Sequence, residues 1–270
     1  MVVQHNLTAM NTNRQLGITT DAQAKSTEKL SSGYRINRAG DDAAGLSISE
    51  KMRSQIRGLD KASSNAEDGI SAIQTAEGAL NETHDILQRM NELATQAAND
   101  TNTSTDRNAI QSEIDALVSE IDRIQSTTQF NTMNLLDGTF KGKSLQVGAL
   151  SGQTIDISID NMNSTQLKVN GLKVDSNTEA GKSMSLIQAA IDTVSDQRSD
   201  LGALQNRLEH TIKNLDTTSE NTSSAESRIR DVDMASEMVT YSKYQILAQA
   251  GQSMLAQANS ANQGVLSLLQ

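Results

Sequence analysis

Apolar residues recur at alternating spacings of three and four in three segments of the chain. One runs from about residue 43 to 99, a shorter one follows the polar stretch DTNTSTD, and one runs from 187 to 232. This periodicity is typical of helices that pack side by side. The sequence therefore predicts a mainly α fold, a long antiparallel coiled-coil-like helical bundle. The seam positions are Ala66, Ile70, Ile73, Ala76, Leu80, Thr83, Leu87, Met90, Ala94 and Ala97, then Ile110, Ile114, Leu117, Ile121 and Ile124, then Ile187, Ala190, Val194, Gln197, Leu201, Leu204, Leu208, Thr211, Leu215, Thr218, Thr222, Ala225, Ile229 and Val232.

The stretch between the two helical halves has a different texture. Residues 137–182 are rich in glycine, and Ile155, Ile157 and Ile159 alternate strictly with polar residues. A second apolar set follows at residues 167–174. Alternation with a period of two between glycine turns predicts short strands, forming a small β-hairpin packed on the bundle.

Both ends of the chain carry apolar side chains that one helix pair could not cover. Residues 1–30 hold a sparse apolar set, and the C-terminal stretch is apolar on more than one side. A helix that is apolar on several faces must be buried on several faces. We therefore expect both ends to bury themselves in further copies of the same chain. The residues expected to pack in this core are Leu7, Met10, Leu247, Met254, Leu255, Val265, Leu266, Leu268 and Leu269.

Composition narrows the possible functions. The chain has no Pro, Cys or Trp and only 2% aromatic residues, so an aliphatic core must be built by narrow helix-on-helix packing. The formal net charge of −10 argues against nucleic-acid binding, which relies on Lys and Arg to neutralise phosphates. No apolar run is long enough for insertion into a membrane. The N-terminus lacks the pattern of a conventional cleaved signal peptide.

The stretch EKLSSGYRINRAGDDAAG, residues 28–45, has the composition of an active-site loop. It places Arg35, Arg38, Asp41 and Asp42 between glycines, a mixture that suits phosphate or metal chemistry. The glycines, however, fall where the N-terminal helix is expected to give way to the next one, and a bend there needs backbone freedom. We therefore interpret the four charged residues as a junction, forming ion pairs within and between subunits that set register.

Other catalytic and ligand-binding motifs are missing from the sequence. His5, His84 and His210 are far apart, and none belongs to a zinc-binding HExxH helix. The chain has no GxxxxGK[ST] phosphate loop, no GxSxG nucleophile elbow and no EF-hand spacing. We therefore expect a protein that is not an enzyme, with no cofactor and no metal site.

Five segments resemble bacterial flagellin. They are EKLSSGYRINRAGDDAAGLSISEKMRSQIRGL, DGISAIQTAEGALNE, LGALQNRLEHTIKNL, AESRIRDVDMASEM and MLAQANSANQGVLSLLQ. The resemblance covers essentially residues 1–137 and 185–270. It implies an inner domain of paired terminal helices (1–40 and 235–270) and a helical rod (41–234) with a small β element at about 137–182. The large variable outer domains of many flagellins are absent.

The resemblance also implies a function and partners. It suggests an extracellular structural subunit of the bacterial flagellar filament, a homopolymer used for swimming and assembled through its terminal helices. Export would use the flagellar type III apparatus, with a chaperone holding the C-terminal segment. Filament cap and hook-associated proteins would be further partners.

A host receptor is a further partner implied by the resemblance. Flagellins are bound by Toll-like receptor 5, and LQRMNELATQAAND and IQSEI resemble the bound surface. The matching residues are Arg89, Leu93 and Glu113. Arg89 and Leu93 are four residues apart on one helical face, and arginine is a common interface anchor. The alternative is that Arg89 is ordinary solvated surface and that Leu93 packs inside the filament.

Two other functions remain as alternatives. A hook–filament junction protein would share the terminal helices, although the AESRIRDVDMASEM run and the C-terminal match favour the filament subunit. A helical signalling or adaptor module belongs to a different class. A self-contained coiled coil, however, would not leave its last 30 residues apolar all round.

Overall fold

A computed structural model describes the backbone of residues 6–267 and the side chains of residues 6–260. Helices dominate it, as the seam pattern predicts. Within residues 6–267, no helix combines the length and the apolarity needed to cross a membrane. The elements are α1 (Leu7–Ser32), α2 (Ala43–Ala97), α3 (Ser104–Thr127), β1 (Gln129–Phe130), β2 (Met133–Asn134), β3 (Lys143–Gln146), β4 (Thr154–Ile157), α4 (Asn177–Arg230) and α5 (Met234–Ser267).

The middle of the chain, Gln55–Glu220, is one compact unit built on antiparallel helices. The Ser63 hydroxyl donates to the Asp216 carboxylate over 3.1 Å, and the Asn177 amide donates to the Ala98 carbonyl, so α2 and α4 run in opposite directions. Most predicted seam positions in this unit are buried, which confirms the pattern. The buried ones are Ala66, Ile73, Ala76, Leu80, Thr83, Leu87, Met90, Ala94, Ala97, Ile110, Ile114, Ile121, Ile187, Ala190, Val194, Gln197, Leu201, Leu208 and Leu215.

Residues in and next to the polar stretch between α2 and α3 form hydrogen bonds with backbone groups at the end of α2 and the start of α3. Thr103 caps α3 through a capping box: its hydroxyl accepts from the Asp106 N–H over 3.3 Å, and Asp106 accepts from the Thr103 N–H over 2.9 Å. Arg107 donates to the Ala97 carbonyl over 3.1 Å, satisfying the last turn of α2. These bonds fix the corner that folds α3 back along α2.

Two small antiparallel hairpins follow α3. In the larger one, β3 pairs with β4, and Ile155 and Ile157 point into the core while their neighbours face solvent. The strand and hairpin expected here are therefore present. The β1–β2 hairpin lies before the glycine-rich stretch and was not expected. Its two-residue turn, Asn131–Thr132, has positive φ angles of 48° and 64°, as in the turns that match strand twist.

The second apolar set does not form strands, so that part of the expectation is wrong. The structure shows turns and irregular backbone there, although Leu167, Val169, Leu172 and Val174 are buried in alternation. A side chain of α3 forms the hydrogen bonds to this backbone that a neighbouring strand would otherwise form. The Gln111 carboxamide donates to the Leu172 carbonyl over 2.8 Å and accepts from the Val174 N–H over 3.0 Å.

Two further side chains hold the same segment. The Asp122 carboxylate accepts from both the N–H and the hydroxyl of Ser164, each over 2.8 Å. Gln197 accepts from the Asp160 N–H over 3.2 Å and donates to the Ser158 carbonyl. Because these polar groups satisfy the irregular backbone, the segment buries its apolar side chains without a β ladder.

The described parts of Met1–Ser54 and Asn221–Gln270 form a second compact unit. The Asn6 amide donates to the Ala258 carbonyl over 3.0 Å, and Lys29 lies 4.0 Å from the Glu237 carboxylate, so α1 and α5 pair antiparallel. This confirms the expected pairing of the terminal helices. The turn after α1 pairs with the α4–α5 connection through a bridge between Tyr34 and Asp231.

Candidate assembly and recognition surfaces

The paired terminal helices expose an unusual amount of apolar side chain. On α5, Val239 is 71% exposed and Ile246 is 66% exposed; on α1, Leu7 is 70% exposed and Met10 is 64% exposed. Only Ala248 of α5 is a buried hydrophobic residue among those whose side chains the structure describes. The helix pair therefore covers one stripe of α5 and leaves the rest in water. Exposed apolar area on this scale marks an interaction surface.

Of the nine residues predicted for the filament core, five have described side chains, and four of these five lie on this surface. Leu7, Met10, Leu247 and Met254 are exposed, and Leu255 is half-buried. Val265 and Leu266 belong to α5, but their side chains lie outside the described residues, as do Leu268 and Leu269 altogether. The structure places the described members on one helix pair; their packing in a polymer stays a prediction.

A groove runs between α1 and α5. It has a volume of about 460 Å³ and is lined by Leu16, Leu247, Gly251, Met254 and polar residues of α1. Helix approach is close there, since a Cβ on Gly251 would meet Leu16 at 3.2 Å. The groove adds concave apolar surface to the exposed side chains beside it.

The loop after α1 is held by Asp41. The carboxylate lies 3.0 Å from the Lys25 ammonium and accepts from the N–H groups of Asn37 and Arg38 over 3.2 and 3.1 Å. The Lys25 hydrogen bond and these backbone donors lower the pKa of Asp41 to about 2. Arg38, in turn, pairs with Glu28 at 3.0 Å. Asp41 and Arg38 therefore each form an ion pair with a residue of α1, and not with one another.

Arg35 and Asp42 form hydrogen bonds instead of ion pairs. The Arg35 guanidinium donates to the Ile229 carbonyl, and the Arg35 N–H donates to the Arg230 carbonyl over 2.7 Å. The Asp42 carboxylate accepts from the Gly45 N–H over 2.8 Å at the start of α2. Within the chain, Asp41 and Arg38 therefore form ion pairs, whereas Arg35 and Asp42 form hydrogen bonds; pairing of the four charged residues between subunits stays a prediction.

Sequence reasoning missed four contributors to this junction. Lys25 and Glu28 supply the partner charges from α1, and the Arg230 guanidinium lies 4.8 Å from the centre of the Tyr34 ring. Aromatic residues are only 2% of the chain, so the presence of Tyr34 in this stretch was a signal that could have pointed to it. An arginine over an aromatic face is attracted by the ring's negative electrostatic potential.

A charged strip lies where α2 and α3 run side by side. The Arg89 guanidinium bonds the Glu113 carboxylate at 3.0 Å and the Glu92 carboxylate at 3.0 Å; the Arg89 and Glu113 side chains are about half-exposed, and Glu92 is more exposed. The hydrogen bonds that Arg89 donates to Glu113, and then to Glu92, raise the pKa of Arg89. The structure thus brings Arg89 and Glu113 together, as the sequence comparison suggested.

Leu93 does not belong to that strip. Its side chain is 2% exposed and packs in the bundle core with Met90 and Ala94. The expectation that Leu93 stands beside Arg89 as a surface anchor is wrong, because a step of four residues moves from the charged face of α2 to the edge of its seam. The structure therefore provides Arg89 and Glu113, but not Leu93, as surface groups.

The described part of the chain was expected to hold no metal site. Among those residues, no three His, Asp or Glu side chains lie close enough to hold a metal ion. His84 contacts Gln88 one turn along the same helix, over 2.8 Å.

Comparison with known proteins identifies relatives over the full length. The bacterial flagellin N-terminal helical region matches residues 3–141, and the bacterial flagellin C-terminal helical region matches residues 184–269. A flagellin of Halalkalibacterium halodurans is 56% identical over 271 residues, covering all of both chains. A flagellin of Bacillus subtilis is 50% identical and a flagellar filament 31.3 kDa core protein of Treponema maltophilum 49% identical, again with both chains fully covered.

Solved structures with the same architecture are also known. A crystal structure of Bacillus cereus flagellin matches 56% of this chain and 88% of its own, with a TM-score of 0.52 and 31% identity. A putative flagellar hook-associated protein from Vibrio parahaemolyticus matches 71% of this chain and 100% of its own, with a TM-score of 0.60 and 14% identity. At that identity, the second likeness concerns the fold alone.

Proposed function

This chain belongs to the bacterial flagellin family, and from that premise we propose that the exposed surface of α1 and α5 builds its polymer. As a flagellin it is a structural subunit of the extracellular flagellar filament, formed from many copies of itself, and not an enzyme. The observation that carries the proposal is the exposure of Val239 and Ile246 on a helix already paired with α1.

The driving force is burial of apolar side chains by neighbouring subunits. Covering a side chain the size of Val, Leu, Ile or Met stabilises by about 1.5–3 kcal/mol. Val239, Ile246, Leu7 and Met10 are each more than half exposed in the single chain. Their faces gain a core only when further α1–α5 pairs surround them, so the terminal helices are marginal in the monomer and become stable in the filament.

The loop after α1 acts as a joint in this polymer. Within the chain, Asp41, Arg35 and Asp42 tie it to α1, α4 and α2 through the contacts described above. Arg38 is exposed, and its guanidinium can reach a neighbouring subunit as well as Glu28. Charge pairs of this kind set register more than they add affinity.

The division into functional layers follows the same logic. We expect residues 1–40 and 235–270 to form the inner domain at the filament core, and residues 41–234 to form a helical rod with its small β element at about 137–182. The rod keeps its own buried core, whereas the inner layer depends on neighbours.

Export and capping complete the life cycle that we propose. The subunit leaves the cell through the flagellar type III apparatus without a cleaved signal peptide. An export chaperone covers the apolar C-terminal helix until then. Filament cap and hook-associated proteins contact the same terminal helices at the two ends of the polymer.

Recognition by Toll-like receptor 5 uses the charged strip. Arg89 presents a guanidinium fork held by Glu113 and Glu92, which suits a planar hydrogen-bonding partner. Leu93 supports the strip from beneath by packing in the core and keeping α2 in place. Substituting Arg89 is therefore expected to affect the receptor contact directly, whereas substituting Leu93 acts through the fold.

The alternative of a hook–filament junction protein has no specific observation in its favour. The hook-associated structure shares the fold, and a common fold does not fix the role. Relatives named as flagellin or filament core protein align over the whole of both chains at 49–56% identity.

Hydrogen exchange in the monomer and in the filament tests the proposal. The amides of residues 239–260 are expected to exchange fast in the monomer and slowly in the filament. The buried amides of α2 around Leu87 serve as the internal control, protected in both states. Equal protection of α5 in the two states would contradict assembly through this surface.

A chain lacking residues 1–40 and 235–270 is expected to form no filaments by electron microscopy.

A further inference from the structure

The turn at Asn170 and Gly171 combines features that promote reaction of an asparagine with its own backbone. Asn-Gly occurs once in the 270 residues, here. Both residues are exposed, and Gly171 has a φ of +75° with open space around the position of a Cβ. We propose that Asn170 is a site of spontaneous deamidation and isoaspartate formation.

Access to the reacting atoms supports this site. The carboxamide of Asn170 and the N–H of Gly171 take part in none of the hydrogen bonds found among the described residues, whereas the N–H of Asn170 donates to the Ser164 carbonyl over 3.2 Å. The electrophilic carbon and the nucleophilic nitrogen are therefore both unengaged. Because glycine has no Cβ, nothing hinders approach of its nitrogen to the neighbouring side chain.

The reaction needs only water. The deprotonated backbone nitrogen of Gly171 attacks Cγ of Asn170, a new C–N bond closes a five-membered succinimide, and the carboxamide nitrogen leaves as ammonia. Water then opens the ring at either carbonyl. One product carries aspartate at 170; the other carries isoaspartate, in which the main chain runs through the former side chain and is longer by one methylene. Both products gain one negative charge.

Two other candidate residues, Asp137 and Asn131, are less suited to this cyclisation. Asp137, before Gly138, accepts from the N–H and the hydroxyl of Thr139. The Thr139 hydroxyl bond lowers the pKa of Asp137, which keeps it as a poorly electrophilic carboxylate. Asn131 is exposed in a turn with a φ of 48°, but its neighbour Thr132 carries a branched side chain.

The location gives the modification a structural consequence. Isoaspartate would lengthen the main chain directly before Leu172, whose carbonyl is held by Gln111, and before Val174, whose N–H Gln111 also accepts. Because the subunit works outside the cell, away from cytoplasmic repair, the product is expected to accumulate. The inference concerns the chemistry of this turn and does not depend on how the filament assembles.

Incubation of the purified chain at mildly alkaline pH in ¹⁸O-labelled water tests the proposal. Trypsin releases Val169–Lys173, and mass spectrometry of that peptide is expected to show loss of ammonia, uptake of heavy oxygen and two chromatographic forms. Isoaspartyl methyltransferase should methylate one form only. The peptide containing Asn131 should stay unchanged, and the N170Q chain should give no conversion. An unconverted Asn170 under conditions that deamidate the urea-unfolded chain, or faster conversion of any other asparagine, would overturn the proposal.

A second comparison separates the added charge from the added methylene. The N170D chain carries the charge with a normal backbone, whereas the aged chain contains the isoaspartate form. Hydrogen exchange at the Val174 N–H is expected to stay slow in N170D and to become fast in the isoaspartate form. Equal exchange in the two would overturn the structural consequence.

Discussion

The Lys25 ammonium lies 3.0 Å from the Asp41 carboxylate and ties the loop after α1 back to the middle of that helix. Asp41 also accepts from the N–H groups of Asn37 and Arg38. One carboxylate therefore fixes the turn that leads from α1 to α2.

Titration of Asp41 checks this arrangement. Its pKa is expected at about 2 rather than 3.8, because the Lys25 hydrogen bond and the backbone donors favour the charged form. A lowered folded-state pKa means that the stabilising contribution is complete above pH 3.8 and is lost as the pH falls toward 2. Carboxyl-carbon NMR measures the value. K25M should raise the pKa, and an unshifted pKa in the unmodified chain would contradict the contact.

The end of α1 depends on a left-handed glycine. Gly33 has a φ of 76°, and its N–H donates to the Lys29 carbonyl over 2.9 Å. G33A is expected to destabilise the end of α1 by about 1–2 kcal/mol, because an L side chain is strained there. G17A, in the helix interior with open space at its Cβ, is the control and should stabilise by up to about 1 kcal/mol. Hydrogen exchange of α1 amides measures both; equal effects would contradict the cap.

The clamp at Gln111 can be tested through the segment it holds. Q111A would leave the Leu172 carbonyl and the Val174 N–H without their partner, at an expected cost of about 1–3 kcal/mol. S112A, on the exposed face of the same helix, should change stability by less than about 0.5 kcal/mol. Urea unfolding compares the two. A neutral Q111A would mean that apolar burial alone orders the segment.

Substitutions at two positions of α2 should affect stability and receptor binding separately. L93A removes a buried side chain and is expected to cost about 2–5 kcal/mol in unfolding free energy. R89A breaks two half-exposed ion pairs and should cost less than about 1 kcal/mol. Under the proposed receptor role, R89A nevertheless weakens Toll-like receptor 5 binding, measured by surface plasmon resonance on the folded monomer. Unchanged binding by R89A would reject that role.

The helices could be predicted from sequence because their seams are long and regular. Ala66 to Ala97 and Ile187 to Leu215 repeat threes and fours with few errors, and burial follows that pattern. The irregular stretch around Leu172 could not be predicted in the same way. Its alternating burial imitates a strand, but the partner is the Gln111 side chain, distant in sequence, and periodicity carries no information about such a partner.

The exposed apolar surface of the terminal helices could be predicted from the sequence, whereas the ion-pair partners of the loop after α1 could not. Exposure of Leu7 and Met254 follows from having more apolar faces than one helix partner can cover. The loop charges were visible in the sequence, but their partners Lys25 and Glu28 lie on the preceding helix and only the fold brings them close. Leu93 was expected on the surface because it lies four residues after Arg89. That step leads from the charged face of α2 to the edge of its buried seam, so Leu93 lies in the core.

If exposed apolar residues of α5 drive polymerisation, removing them must raise the critical concentration for filament growth. V239N combined with I246N removes two such side chains, which are 71% and 66% exposed in the monomer. The account predicts a loss of about 3 kcal/mol per added subunit, roughly a hundredfold rise in critical concentration measured by sedimentation. L150N, 68% exposed in the glycine-rich stretch, is the matched control and should assemble normally. Unchanged assembly of the α5 variant would contradict the account.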